Sequence, residues 1–387
     1  MKIGIDKIGF FTSDLYIDMV KLAKQRQEDP NKYLIGIGQK KMAVIRPTQD
    51  AVSLAANAAA PILTEKDRAK LGLVVFGTES GVDNSKSAAA YLAGLLQLPK
   101  NLRVVEIKQA CYGATAGLDF AQGYIMLHPQ EKVLVIGADI ARYGLNTPGE
   151  PTQGGGAVAM LVTAAPRIIA FENVNTAAAC DAGDFWRPLG ETEARVAGKF
   201  SNNLYLDLLQ QVWQEYIKQT GAKLEDFAAL LFHLPYTKLG LKGLRSLTTG
   251  ADVTTSVRLF KQFEAARMYN CQVGNLYTGS LYLSFLSLLK NSLELQAGQR
   301  IGFYSYGSGA QAEFFSGLLQ PGFERQLVQI NPAEQLAERH EISITAYEQL
   351  YRQQAVQAAE LKLDFANDPA KYVFAGIHEY QRSYTTH

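Results

Sequence analysis

Cysteine is scarce: 387 residues hold three, Cys111, Cys180 and Cys271. The count is odd, no pair has CxxC spacing and no set matches a zinc site, which excludes a disulfide framework and a structural zinc module. A reduced, cytoplasmic setting is the expectation. Charge of one sign is also missing. Lys and Arg number 38 against 37 Asp and Glu, a net charge of +1, so neither a nucleic-acid surface nor an acidic scaffold tail is expected. A local basic site for an anionic ligand stays open. No apolar run approaches the roughly 18 residues of a membrane span. The nearest, Leu276 to Leu289, is broken by Gly279 and by Ser280, Ser284 and Ser287, and reads as a buried helix. The N-terminus breaks its apolar residues with charge too early for a signal peptide. There is no Walker A motif, and Gly154-Gly155-Gly156 lacks the GxGxxG spacing of a dinucleotide site. No Pro/Gly/Ser linker or low-complexity segment divides the chain.

What is present is a globular composition, 47% hydrophobic and 19% charged. Short β-branched runs read as strands: Leu73 to Phe76, Lys132 to Ile136, Val158 to Val162, Ile168 to Phe171, Ala229 to Phe232 and Ile301 to Tyr304. Helical patterns lie among them, at Gln49 to Ile62, Ser85 to Leu96 and Tyr205 to Thr220. The alternation predicts an α/β protein with a largely parallel sheet.

The order of signals occurs twice. A strand ends at Gly77-Thr78-Glu79, a helix opens at Cys111, a strand follows, then the turn Gly154 to Gly156. Later a strand ends at Phe232-His233, a helix opens near Asn275, a strand follows, then Gly307-Ser308-Gly309. A duplication of this kind faces the two sets across a pseudo-two-fold axis. It predicts one half over residues 1–170 carrying Glu79 and Cys111, and another over 171–387 carrying His233, Asn275 and Ser308.

Cys111 precedes Gly113-Ala114-Thr115-Ala116-Gly117, small residues that let an acyl chain approach, and a helix start favours thiolate. Alone it reads as a small buried apolar residue, and the helix start, the small neighbours and the partners below reverse that; Cys180 and Cys271 keep it. Among five histidines only His233 follows a buried strand into a turn, where ligands sit in α/β sheets; it can orient or protonate a carbonyl oxygen, or be a satisfied core residue. Glu79 is either a solvated turn carboxylate or a base beside the sulfur, its pKa raised by burial. Gly307-Ser308-Gly309 can bring N–H groups to an oxyanion, or be a plain turn. Lys238 and Lys242, at i and i+4, can clamp phosphates, or be a solvated face.

These segments resemble the bacterial hydroxymethylglutaryl-CoA synthases, of the thiolase superfamily, along nearly the whole chain. The resemblance is carried by Gly-Ile-Asp-Lys-Ile at 4–8, Gly-Thr-Glu-Ser at 77–80, Ala-Cys-Tyr-Gly-Ala-Thr at 110–115 and Tyr-Gly-Leu-Asn at 143–146. It continues in Gly-Glu-Pro-Thr-Gln-Gly at 149–154, Asp-Phe-Trp-Arg-Pro at 184–188, Phe-His-Leu-Pro-Tyr-Thr-Lys at 232–238, Val-Gly-Asn-Leu-Tyr-Thr-Gly-Ser-Leu-Tyr-Leu at 273–283 and Tyr-Gly-Ser-Gly at 306–309. It implies a thiolase-like five-layered α/β/α/β/α fold, a homodimer, and condensation of acetyl-CoA with acetoacetyl-CoA and water in the mevalonate pathway. No cofactor is implied beyond these substrates. Cys111 then matches the acetylated nucleophile, Glu79 the general acid/base and His233 the residue engaging the acetoacetyl group. Asn275 matches its neighbour, Ser308 the oxyanion turn, Lys238 and Lys242 the CoA contacts, and Tyr143, Thr152 and Ser201 substrate-side positions. Gln109 stands where relatives commonly carry Glu; Gly190 to Phe200, with Val196-Ala197-Gly198, and Asn270-Cys271-Gln272 also depart. Within the superfamily a ketoacyl carrier-protein synthase shares Cys, His and Asn, but its decarboxylative chemistry has no need of Glu79. A β-branching synthase acting on a carrier protein, and a catalytically silent dimeric binding protein, are the other readings.

Overall fold

The run Leu71–Gly77 (β2) is buried along its whole length, the mark of a strand covered on both faces. In the computed structural model, which describes residues 1–353 and 358–387, it belongs to a nine-stranded sheet. The other strands are Gly4–Phe11 (β1), Arg103–Ile107 (β3), Lys132–Ala141 (β4), Gly154–Thr163 (β5), Ile169–Ala179 (β6), Phe227–Phe232 (β7), Arg300–Gly307 (β8) and Gln311–Leu319 (β9). Their order is β7-β8-β9-β6-β1-β5-β4-β2-β3. The sequence predicts a largely parallel sheet; the observed one is mixed. Only β7–β8, β2–β4 and β2–β3 are parallel, and the remaining five pairings are antiparallel. The reason is local: β4 to β5 and β8 to β9 are joined without a crossover helix, so the chain simply reverses.

Register shows which face each helix covers. Gly9, Ala159, Ile136 and Phe76 are paired across β1, β5, β4 and β2 and so share one face. A Cβ on Gly9 would lie 2.2 Å from the Ala58 carbonyl, which places Ala51–Ala59 (α1) on that face. This helix is capped by an Asp50/Ser53 box and is buried throughout; Ala88–Leu95 (α2) packs beside it. Val75 and Val135, on the opposite face, meet Gly117 of Gly113–Leu127 (α3). On the other part of the sheet, Phe303 of β8 packs on Phe285 of Ser280–Asn291 (α7) at 5.2 Å between ring centroids. The next residue, Tyr304, points the opposite way and meets Tyr205 of Gly198–Thr220 (α4) at 5.0 Å. Thr115 of α3 and Tyr282 of α7 hydrogen-bond at 2.7 Å, so these two helices share the middle layer. The result is five layers: α1 and α2, sheet, α3 and α7, sheet, α4. The two parts of the sheet join only at Gly4–Ala170 and Ile5–Ile169.

The Leu276 to Leu289 run is the buried helix expected, but it begins as one 3₁₀ turn at Tyr277–Gly279 and becomes α-helical at Ser280. Helix α4 starts earlier than its apolar pattern suggests and takes up the end of the unusual 190–200 segment. Thr237–Leu247 (α5) and Val253–Arg267 (α6) cover the flank of β7. Ile344–Gln353 (α8) packs with a three-stranded sheet formed by Leu15–Asp18, Lys41–Val44 and His340–Glu341. Among the described residues no helix is long and apolar enough to cross a membrane.

Candidate active site

Strand β2 delivers Thr78 and Glu79 to the start of α3. A Cβ on Gly77 would lie 2.5 Å from the Ala114 amide nitrogen, so only glycine lets the helix rest there. Ala110 has φ 43°, a strained left-handed conformation of the kind held at functional turns, and it turns Cys111 inward. The Cys111 thiol donates to Glu79 Oε1 at 3.0 Å. Burial, then the neighbouring Asp139 charge, lifts the Glu79 pKa to about 8, against the opposing pull of the Cys111 hydrogen bond.

Cys111 departs from the expectation of easy thiolate formation. Its own burial, followed by Glu79 and then Asp139 and Asp184, pushes the thiol pKa up. It also precedes the helix rather than starting it: Tyr112 is the N-cap and Gly113 the first helical residue. Three carboxyl groups outweigh a dipole that falls off within the first turn. Cys111 is therefore a thiol hydrogen-bonded to an acid of unusually high pKa.

His233 follows β7, its amide donating to Tyr304 O at 2.8 Å and its carbonyl accepting from Tyr205 OH at 2.9 Å. The ring is buried, and Nδ1 has no protein partner among the described residues. Burial lowers its pKa to about 3, so it is a neutral imidazole, a hydrogen-bond donor rather than the proton-supplying imidazolium the sequence allows. Asn275 is fixed by its Oδ1, which accepts from Tyr277 N at 2.8 Å and Ser280 Oγ at 2.9 Å. Its Nδ2 donates to Tyr143 OH at 3.3 Å.

Cys111, Tyr143, Thr152, Ser201, His233, Asn275 and Ser308 line one cavity of about 190 Å³. The sequence-predicted residues from both ends of the chain thus converge. Glu79 reaches this cavity through Cys111 and borders a second, polar cavity of about 800 Å³ on its other side. Lys238 and Lys242 do not line the first cavity; they lie on α5, half-buried and exposed, beyond Pro235, Tyr236 and Leu239, which do line it. The 307–309 turn also differs in detail. Its Gly309 N–H is taken by Asp184 Oδ1 at 2.8 Å, leaving Ser308 as the residue presented to the cavity. A Cβ on Gly307 would meet Gln109 O at 2.5 Å and Tyr112 N at 2.8 Å, so the turn sits directly on the Cys111 loop and on the departing Gln109.

Two buried carboxylates organise this site and escape residue-by-residue reading. Asp139 accepts from Thr78 Oγ1 (2.9 Å), Glu79 N (2.7 Å) and Ser80 N (2.9 Å) through Oδ1, and from Thr278 N (3.1 Å) and Thr278 Oγ1 (2.6 Å) through Oδ2. It ties the end of β2 to the start of α7. Asp184 accepts from Ser201 Oγ (2.9 Å) and Tyr306 OH (2.6 Å) as well as Gly309 N. Asp184 opens a motif already visible in the sequence; Asp139 sits in a strand, with no local signal beyond being a charge in an apolar run.

Family models described as hydroxymethylglutaryl-coenzyme A synthase N terminal and C terminal match residues 1–166 and 251–387. The hydroxymethylglutaryl-CoA synthase of Enterococcus faecalis is 47% identical over 384 residues, covering 99% of this chain and 100% of the relative. A crystal structure of HMG-CoA synthase complexed with CoA superposes with a TM-score of 0.96 at 41% identity, covering 100% of both chains. A structure of MvaS in complex with 3-hydroxy-3-methylglutaryl coenzyme A gives 0.90 at 35% identity, covering 100% of this chain and 99% of the other. The chain belongs to the hydroxymethylglutaryl-coenzyme A synthase family, condensing acyl-transfer enzymes of thiolase-like fold.

Proposed function

We propose that this chain condenses acetyl-CoA, acetoacetyl-CoA and water into 3-hydroxy-3-methylglutaryl-CoA and CoA, through an acetyl thioester on Cys111, in the mevalonate route to isoprenoids. The observation that carries the roles is the 3.0 Å contact between the Cys111 thiol and a Glu79 carboxyl with a pKa of about 8. A carboxyl so close to neutral serves as both base and acid. The sulfur attacks the acetyl carbonyl while its proton passes to Glu79, and CoA leaves as the thiol. Backbone N–H groups at Cys111 and Ser308 hold the oxyanion. Glu79, again ionised, takes a methyl proton from acetyl-Cys111 at fixed distance. The resulting carbanion attacks the ketone carbon of acetoacetyl-CoA, whose oxygen accepts from the neutral His233 ring, with Asn275 and Tyr143 alongside; the alkoxide is protonated at the expense of the proton Glu79 took from the methyl group, which gives the tertiary alcohol and leaves Glu79 ionised again. Water then cleaves the thioester, returning the thiol. Thr152 and Ser201 bound the acyl cavity, and Lys238 and Lys242 meet the CoA phosphates outside it.

A cytoplasmic homodimer is part of the same proposal. Strand β3 is a sheet edge whose Val104 and Val105 are exposed, as are Phe120 and Leu127 of α3; an unpaired edge and exposed apolar side chains favour a second copy.

The test is incubation with acetyl-CoA followed by mass spectrometry, in wild type and in Glu79→Ala. An acetyl adduct on the Cys111 peptide in both, formed more slowly in the variant because the thiol has lost its proton acceptor, with condensation reduced on the order of 10²- to 10⁴-fold, is the expected result. Wild-type condensation rates in Glu79→Ala would refute the role of Glu79, and absence of any adduct would refute the covalent route. Acyl-carrier-protein donors in parallel separate a CoA-dependent enzyme from a β-branching one.

A further inference from the structure

We infer that Gln153 and Tyr347 are positioning residues that brace Tyr143 and Asn275 from behind the cavity; this rests on the condensing-enzyme reading above. Gln153 stands in the motif at 149–154 and has no part in the chemistry just described. It is 3% exposed, and both ends of its side-chain amide are engaged. Oε1 accepts from the Tyr143 amide at 2.7 Å, and Nε2 donates to the Tyr347 hydroxyl of α8 at 2.7 Å. Its backbone carbonyl presses on Gly274, where a Cβ would fall 2.0 Å from the oxygen and φ is +93°. Glycine is therefore required immediately before Asn275. Tyr143 and Asn275 bond to each other at 3.3 Å, and Gln153 stands behind both.

The far end of the brace is anchored. The Tyr347 hydroxyl donates to Glu150 Oε1 at 3.2 Å. Glu150, fully buried, accepts from Arg26 Nε at 2.8 Å and Nη2 at 2.7 Å, and from the Asn146 amide at 3.0 Å. Arg26 also pairs with Glu348, on the same helix as Tyr347, at 2.7 Å. A buried ion pair is costly unless its hydrogen-bonding capacity is met, and one so met fixes geometry. Helix α8 thus reaches across to hold the 143–153 loop as one wall of the cavity. Cys111 and Glu79 are held by other contacts, at Gly77, Ala110 and Asp139. The brace therefore governs the wall that receives the second substrate and leaves the nucleophile alone.

That separation is the test. Gln153→Met keeps length and removes both hydrogen bonds. The expected result is a KM for acetoacetyl-CoA raised about tenfold, with the rate of acetyl-adduct formation on Cys111 within about twofold of wild type. Tyr347→Phe shifts KM the same way by less, and the double variant is no worse than Gln153→Met, because the two act in series. A purely structural role predicts instead that acetylation and condensation fall together with the melting temperature. That outcome, or an unchanged KM in Gln153→Met, overturns the brace. Acetylation of the wild-type protein in the same assay tells the two failures apart: without a wild-type adduct, the reaction assignment falls and takes the brace with it.

Discussion

Glu79 and His233 occupy matching places. Each lies just past a buried strand, β2 or β7, and each faces a helix start preceded by a residue of φ 43°, Ala110 before α3 and Tyr277 before α7. Their surroundings are opposite. Glu79 and Cys111 sit among Asp139 and Asp184, and both have raised pKa values, led by burial. His233 has only desolvation acting on it, which takes its pKa down to about 3. One corner of the cavity is built to keep a proton and release it, the other to stay neutral and offer an N–H. Burial has the same physical sign in both, disfavouring charge; what differs is whether the uncharged form carries the labile proton. On the proposed mechanism, a base beside the methyl group and a neutral donor beside the ketone oxygen are thereby kept from titrating against each other.

Asp139 is where this contrast breaks most severely. Asp139→Asn removes the charge that, after burial, does most to hold the Glu79 pKa up. It also replaces an acceptor by an NH₂ facing the Thr278 amide, an unmet buried donor worth about 1–3 kcal/mol of stability. On the proposed mechanism condensation requires ionised Glu79, so its rate rises with pH through the Glu79 pKa. Lowering that pKa moves the rising limb to lower pH. The expected outcome is that shift, together with a loss of about 10²-fold in condensation from the displaced carboxyl. A limb that stays in place, measured on single-turnover condensation after acetylation, would show that Asp139 does not tune Glu79.

The His233 corner can be sharpened by titration. With a pKa of about 3, the ring stays neutral from about pH 5 to 8, so its NMR resonances are expected not to move across that range. A resonance titrating near 6.5 would make His233 an acid and erase the contrast. His233→Ala is expected to raise the KM for acetoacetyl-CoA about tenfold, the loss of one hydrogen bond in a dry site, with acetylation of Cys111 intact.

How much of this was legible in the sequence follows from how local each signal is. Strands such as Leu73 to Phe76 and Ile301 to Tyr304 announced themselves because full burial makes a continuous β-branched run. Glu79 and His233 were visible as polar residues at the ends of such runs, Cys111 and Asn275 as polar residues at helix starts, and the duplicated order put the two sets face to face. The antiparallel pairing of β4 with β5 was not visible: nothing in Gly154 to Gly156 says which neighbour the returning strand takes. The electrostatics were not visible either. Whether Cys111 is thiolate or thiol depends on its burial first, then on Glu79, and after them on Asp139 and Asp184, which lie 28 and 73 residues further along the chain and come near it only in three dimensions. The lysines were legible as a pair on one helical face, but their distance from the cavity was not.

That distance sets the smallest expected effect. Lys242 is exposed and Lys238 half-buried, and neither borders the acyl cavity. An ammonium in water contributes about 0.2–1 kcal/mol to an ion pair, so Lys238→Ala or Lys242→Ala is expected to raise the KM for either CoA ester by less than about fivefold, leaving kcat unchanged. The effect should fade as salt shortens the screening length from about 8 Å at 0.15 M to about 3 Å at 1 M. A short thioester lacking the nucleotide phosphates should bind wild type and variants alike. If the variants instead weaken that truncated substrate as much as acetyl-CoA, the lysines act through α5 and its cavity-lining Leu239 rather than through phosphate. The outer rim would then belong to the same positioning system as the His233 corner, and the division between a proton-holding corner, a neutral corner and an electrostatic rim would have to be redrawn.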